Sequence, residues 1–427
     1  MSERRVFLFL QGPPSRFWYE LAEALDAAGH KTLRVNLSAG DWLYWRKRGA
    51  INYRGSFKAW RSWLEALIER EGVTDILYYA DRLPYHVVAN EIARQRGIYV
   101  TAVEFGYLRP DWITVERDGM STYSHFPNDP EIIRRIADHA PDPDFEIKYP
   151  YTFFQEASNE VIYNLASLFL SWMSFPRYHA DKYYNPLKDY LSTLWRLIRD
   201  RWQRKYAKRV MREVILGPRP FYIFALQLQS DYQIRDNSPY SRLHEAIDQT
   251  IASFARNAPL GTVLVFKVHP LDNGLERWQK VVMASARRHD VRPRVRVIDG
   301  GNLNRLVETA LGTILVNSTV GLYAIRAGCP LMVLGVAVFD IPGLTFQGTL
   351  DEFWTEAEPP DEELRLKFIR ALAATTQVKG SFYNREGRKV AIAEMVRRLE
   401  ARTVNEPGAF IDPPPRLEKA RRLGMRV

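Results

Sequence analysis

Apolar and polar positions divide the chain into three stretches. In the first, short apolar runs alternate with longer amphipathic ones. "RRVFLFLQ" (4–11) has the character of a strand, 15–29 of a helix, and "KTLRVNL" of the next strand. Residues 57–71 show a helical period, "DILYYA" is a strand, 84–96 a helix and "YVTAVE" a strand. Apolar strands separated by amphipathic helices predict a parallel sheet covered on both faces. Over 149–213 the strand signal vanishes, and the pattern is helical with breaks near Pro176 and Pro186. After "LGPRP" (216–220), a linker-like break, the alternation resumes. "FYIFALQ", "TVLVFKV", "VRVID", "GTILVN" and "LMVLG" are its strands, with helices between them. Further helices are expected over 360–374 and 386–402, ahead of a Pro-rich, basic, loosely packed tail.

The expected fold class is therefore α/β: two doubly wound, Rossmann-like domains with a helical insert between them, the two-lobed plan of nucleotide-sugar glycosyltransferases. The boundaries that follow are 1–148 for an N-terminal acceptor-side domain and 149–217 for a basic, aromatic helical insert. Residues 218–385 form a nucleotide-sugar-binding domain, and 386–427 a C-terminal helix and basic tail. A length of 427 residues is too great for one ordinary core and fits this division.

Composition narrows the class. Hydrophobic residues at 46% and charged ones at 26% indicate a globular protein. The single cysteine, Cys329, rules out an intramolecular disulfide and suits a reducing compartment. The apolar start is short and is stopped by Gln11, Gly12 and Pro13, so it fits a first strand better than a signal peptide. No run approaches the ~18 apolar residues of a membrane span. A net charge of +10 favours anionic partners, whether nucleic acid, nucleotide or an anionic membrane face. With 13% aromatics and 11 tryptophans, a carbohydrate or a membrane interface suits the chain as well as nucleic acid does.

In doubly wound sheets, ligands bind beyond the carboxyl ends of the strands. In the C-terminal domain these ends lead into "LQSDYQIRDNSPY", "FKVHPLD" and "NSTVGLYAIRAGCP". Asn317, Ser318 and Thr319 precede a helix and can cap it, and Gly321 permits close approach, as a nucleotide phosphate would need. The alternative is an ordinary helix cap. His269 ends a strand, fixed by Pro270 and preceded by the unusual in-strand charge Lys267, and is placed to meet a phosphate or carboxylate. Gln229 and Asp231 complete the candidate donor set. No His/Cys spacing points to a metal.

In the N-terminal domain, "VEFGYLRPDWITVERDG" (103–119) is an acid-rich loop beyond a strand. Glu104, Asp111 and Glu116 are its candidate bases or nucleophiles, with Arg109 beside them and Asp41 and Asp231 in reserve. A salt-bridged loop is the alternative. "LQGPP", with Gln11 and Gly12, and "AGDW", with Asp41, are further strand-end loops. In the insert, residues 194–213 place Trp195, Ile198, Trp202, Tyr206 and Val210 on one helical face, with eight Arg and Lys against two acids. Trp195, Arg201, Trp202, Lys205, Tyr206, Lys208 and Arg209 thus read as an interfacial helix for an anionic membrane. A helix packed on the protein is the alternative. Upstream, "NLASLFLSWMSFPRYHADKYYNPL" is an apolar, aromatic stretch suited to lipid docking or an acceptor groove.

Together these segments resemble the capsule polysaccharide biosynthesis/export family, the KpsS/LipB type of β-Kdo transferase. The resemblance is carried by "FLQGPPSRFW", "GDW", "EFGYLRPDWITVE", "LQLQSDYQI", "KVHP", "VNSTVGLYAIRAGCPLMVLG" and "GLTFQGTLDEFW", which span nearly the whole chain. It implies a GT-B-like glycosyltransferase that uses CMP-Kdo as donor, without a metal cofactor. Its acceptor would be a phosphatidylglycerol-type lipid, and its product the start of a poly-Kdo capsule linker. It further implies a cytoplasmic protein peripheral on the inner membrane, partnered by a chain-extending Kdo transferase and capsule export machinery, and no nucleic acid. Chain-extending relatives carry Glu-Asp-Gly-Phe where this chain has Glu104-Phe105-Gly106-Tyr107. That departure favours the initiating type and leaves the base open among Glu104, Asp111 and Glu116. A non-catalytic export or assembly factor, or a transferase for another nucleotide sugar, are the competing readings.

Overall fold

The computed structural model describes residues 4–45, 49–179 and 183–427, without the side chains of 153, 186, 187, 190, 194, 195 and 197–204. The chain begins β1 (Val6–Phe9), α1 (Phe17–Ala27), β2 (Lys31–Asn36), α2 (Ala39–Tyr44), β3 (Ile51–Asn52), α3 (Trp60–Glu71), β4 (Asp75–Tyr79) and α4 (Pro84–Arg96). It continues through β5 (Tyr99–Phe105), β6 (Trp112–Arg117), α5 (Pro130–Asp138) and two long helices, α6 (Phe153–Ser174) and α7 (Pro186–Leu216). Next come β7 (Phe221–Ala225), α8 (Tyr232–Asp236), α9 (Leu243–Asn257), β8 (Val263–Val268), α10 (Trp278–Arg288) and β9 (Val295–Asp299). The last part holds α11 (Leu303–Thr309), β10 (Gly312–Leu315), α12 (Val320–Arg326), β11 (Leu331–Val333), α13 (Leu350–Glu356), α14 (Glu362–Thr375), β12 (Gln377–Lys379), α15 (Arg385–Ala401) and α16 (Leu417–Arg422).

Two compact units result. Unit 1 comprises Met1–Pro127, His139–Asp181 and Arg370–Pro414; unit 2 comprises Asn128–Asp138, Lys182–Ile369 and Pro415–Val427. The expected boundaries need correction. Residues 149–217 are not a unit of their own: α6 belongs to unit 1 and α7 to unit 2. The chain also leaves the second unit before residue 385, to add β12 and α15 to the first. Nor is the tail loose. Phe410 stacks on His125 at 4.2 Å, and buried Arg416 donates to the carbonyls of Ala337 and Val338.

Unit 1 is a seven-stranded sheet in the order β12-β6-β5-β4-β1-β2-β3. Its β1 explains the unbroken apolar run at the N terminus. Phe7 and Phe9 enter one core with Phe17, Leu21 and Leu25, while Leu8 and Leu10 enter the other with Trp60, Leu64 and Ile76. A strand buried on both faces has no polar positions to alternate. The parallel sheet holds from β3 to β5, but β6 returns antiparallel to β5, and β12 antiparallel to β6. The turn between β5 and β6 is too short for a crossover, so the return must be antiparallel. The strand order reverses between β1 and β4, which makes that the topological switch point.

Unit 2 is a five-stranded parallel sheet, β11-β10-β7-β8-β9, whose order reverses between β7 and β10. Phe224 and Phe266 stack at 5.2 Å on one face. On the other, Ile223, Val265 and Ile298 pack against Ala207, Val210, Met211 and Val214 of α7.

Candidate active site

The carboxyl edge of unit 2 is built by exchange between its loops. Gln227, just past β7, donates from Nε2 to Asn317 Oδ1 at 2.8 Å, and the Asn317 amide donates back to Gln227 Oε1 at 3.0 Å. This reciprocal pair joins the two strands that flank the switch point. Asn317 Nδ2 then donates to the carbonyls of Gln233 (2.7 Å) and Asn237 (3.1 Å), so the side chain expected to cap a helix instead holds the α8 turn. Thr319 occupies the N-cap position of α12 without a side-chain cap bond, and Ser318 Oγ accepts from the Val320 amide at 3.3 Å. A Cβ on Gly321 would lie 2.3 Å from the Phe339 ring, so this glycine allows α12 to pack on Phe339. Asp231 caps α8 through the Gln233 amide. Gln229 Oε1 accepts from the Leu243 amide, and its buried Nε2 has no partner among the described residues.

His269 follows β8 and is half-buried. Its Nδ1 accepts from the Leu271 amide at 3.1 Å, which puts the proton of the neutral ring on Nε2. The turn that carries it is clamped from α7. Arg196 pairs with the Asp299 carboxylate (2.5 and 3.2 Å) and donates to the carbonyls of His269, Pro270 and Asp272. Asn273 donates to Asp189, also on α7, at 2.8 Å. Pro270 is exposed on this turn. Lys267, by contrast, is only 4% exposed, and its ammonium donates to the Val268 carbonyl. Burial pulls its pKa down, and Asp299 opposes that shift. Its charge is spent inside the sheet, which corrects the expectation of a donor contact.

At the edge of unit 1, most of the expected acids are enclosed. Residues 103–119 are not one loop but the β5–β6 hairpin, with Glu104 opposite Thr114 and Glu116 opposite Ala102. Glu116 is fully buried and accepts from the Tyr107 and Ser124 hydroxyls. Asp111 is 1% exposed; its Oδ2 accepts from the amides of Lys148 and Tyr149, fixing the chain ahead of α6. "AGDW" is the start of α2, not a loop, and Asp41 closes its capping box with Ser38. Asp41 also pairs with buried Arg34 at 2.9 Å and accepts from the Leu37 amide and the Tyr163 hydroxyl. The donors on Asp41 tie it into the scaffold that joins α2, Arg34 and α6. Gln11 donates to Tyr163 at 2.6 Å, and a Cβ on Gly12 would strike the Trp18 ring. Arg109 is exposed, its guanidinium 4.8 Å from the centre of the Phe105 ring. Of the three candidate acids, Glu104 is the one that remains partly exposed, one residue from the end of β5.

The model of the family described as "Capsule polysaccharide biosynthesis protein" matches residues 74–383. The chain belongs to this family. It is 33% identical to the capsule polysaccharide export protein KpsS of Escherichia coli, over 89% of this chain and 97% of that one. It is 30% identical to the capsule polysaccharide modification protein LipB of Neisseria meningitidis serogroup A, over 88% of this chain and 91% of that one. Among solved structures it is similar to the β-Kdo 2,7 transferase of Thermosulfurimonas dismutans KpsC, with a TM-score of 0.45 and 13% identity, over 93% and 99% of the two chains. This is thus a protein of capsule polysaccharide biosynthesis, and the family match takes in Glu104, His269 and Asn317 but not Gln11, Gly12 or Asp41.

Two residues of this capsule-family chain escaped the sequence reading. Gln227 lies two positions before Gln229, and only strand pairing shows which of them faces Asn317. Arg196 looked like one more charge on a basic helix. That helix differs from expectation: Lys205, Tyr206, Lys208 and Arg209 are exposed, but Val210 is buried in the unit 2 core. The side chains of Trp195, Arg201 and Trp202 lie outside the described residues.

Proposed function

We propose that this chain is a retaining glycosyltransferase that moves Kdo from CMP-Kdo to a phosphatidylglycerol-type lipid, starting the poly-Kdo linker of a capsule. It would act at the cytoplasmic face of the inner membrane, beside a chain-extending transferase and the export machinery. The observation that carries this reading is the edge of unit 2: a histidine held in one tautomer by a clamped turn, next to the Gln227–Asn317 pair at a switch point. Such edges bind nucleotides in doubly wound sheets. Over the whole reaction, the bond from the anomeric carbon of Kdo to the cytidine phosphate breaks, and one to the acceptor hydroxyl oxygen forms on the same face of the sugar, as retention requires. The hydroxyl proton passes to a carboxylate, and partial exposure favours Glu104 for that role. The leaving CMP gains negative charge, which a hydrogen bond from His269 would stabilise. No metal takes part in this scheme, and a chelator should leave turnover unchanged.

The test is incubation of the protein with CMP-Kdo and a fluorescent phosphatidylglycerol, with the product read by mass spectrometry. His269→Ala should fold normally yet transfer no Kdo; near wild-type turnover would remove His269 from the site. Transfer from a different nucleotide sugar would change the donor. Binding of lipid-linked polysaccharide without any transfer would favour an assembly factor.

A further inference from the structure

Helix α6 is packed inside out. Its face toward α2 is small and polar. Ser167 Oγ accepts from the Gly40 amide at 3.2 Å, Ser171 Oγ from the Ala39 amide at 3.1 Å, and the Tyr163 hydroxyl reaches Ser38 and Asp41. A Cβ on Gly40 would come within 2.6 Å of Ser167 Oγ, so the two helices meet at backbone distance. The opposite face carries the large apolar groups. Ile162, Phe169, Trp172 and Met173 are 50%, 56%, 74% and 67% exposed, with Leu168 and Leu170 beside them. Residues 161–176 contain no charged side chain, and exposed Arg177 follows directly.

A contiguous apolar face of this kind marks an interaction surface. We propose that the outward face of the C-terminal half of α6 docks the protein on an anionic lipid bilayer, lying in the interface plane. No described helix is long and apolar enough to cross a membrane, which leaves surface insertion as the mode available to this one. The face is formed by one helix, α6, whose large apolar side chains stand in solvent. Phe169 and Trp172 stand on it, and Trp42, 45% exposed, is on the neighbouring α2; aromatic rings of this kind settle at the headgroup level. Arg177 at its end and the chain's net +10 complement anionic headgroups. The acidic Glu156 and Glu160 fall in the other half of the helix, which stays out of the contact. The choice of a bilayer over a protein rests partly on the lipid acceptor proposed above.

The experiment is co-sedimentation of the full chain with phosphatidylglycerol-containing vesicles, at low and high salt. The Phe169→Ser, Trp172→Ser double variant is compared with Lys205→Glu, Lys208→Glu, Arg209→Glu on α7. The α6 variant should lose about tenfold or more of its vesicle partitioning at both salt concentrations, because the lost term is apolar. Its CMP affinity and melting temperature should match wild type. Three results would overturn the proposal: wild type that does not bind vesicles, an α6 variant that binds them as wild type does, or a wild-type dimer that the α6 variant converts to monomer with vesicle binding unchanged. If wild type docks through α6 yet transfers no Kdo, the docking stands and the transferase reading falls.

Discussion

The two sheet edges spend their polar groups differently. At the edge of unit 2, neighbouring loops bond to one another: Gln227 to Asn317, and Arg196 to the turn of His269. These bonds tie the loops of the scaffold to one another, and the imidazole is half-buried at the surface it supports. At the edge of unit 1, the carboxylates themselves are the scaffold. Asp41, Asp111 and Glu116 are each no more than 1% exposed and each accepts from several donors. The role of an acid therefore follows from what supplies it with protons and from what covers it. A structural carboxylate is recognised by burial and by several donors converging on it, from backbone amides for Asp111 and from hydroxyls for Glu116.

The sharpest way to break this contrast is to exchange acids for amides. Glu104→Gln should lower kcat for Kdo transfer by about 10²–10⁴-fold with an unchanged melting temperature. Glu116→Gln and Asp111→Asn should lower stability first. A well-folded Glu116→Gln enzyme with no turnover, beside an active Glu104→Gln, would reverse the assignment. Next in size is Asp41→Ala, which strands the buried Arg34 guanidinium; a loss of about 3–5 kcal/mol is expected in denaturant unfolding. A loss under about 1 kcal/mol would mean that water reaches the pair.

In unit 2, Arg196→Ala should weaken the turn of His269 by the equivalent of a charged hydrogen bond, about 1.5–3 kcal/mol. The effect should fall on KM for CMP-Kdo and kcat/KM, with little change in melting temperature. A uniform loss of stability would make Arg196 a packing residue only. The smallest effect is a pH dependence in unit 1. His86 bonds through Nδ1 to the Ala80 carbonyl at 2.8 Å, and burial lowers its pKa to about 4 from 6.5. The unfolded chain takes up the proton first, so stability contributed by the neutral ring is present above pH 6.5 and is lost as the pH falls toward 4. By pH 5.5 the loss should be about 1 kcal/mol. His86→Asn, which still offers a donor to Ala80, should flatten that slope in urea titrations.

Local pattern alone determined the strands and their loops. The apolar run Phe7–Phe9 reads as a strand of a covered sheet, and the run ahead of His269-Pro270 as a strand ending at the sheet's carboxyl edge. These features depend on period and on backbone sterics within a few residues. Tertiary structure decided which side chains were available. The three-residue β12 needed β6 to pair with, and the β5–β6 return turned an acid-rich loop into a hairpin that encloses Glu116. The sequence made α7 the interfacial helix and α6 a stretch for lipid docking or an acceptor groove, yet the apolar residues of α7 from Ala207 to Val214 are consumed by the sheet of unit 2, while those of α6 point outward because its serines take the inner face. Burial is set by partners supplied from distant parts of the chain, and a one-dimensional period carries no record of which partner arrives.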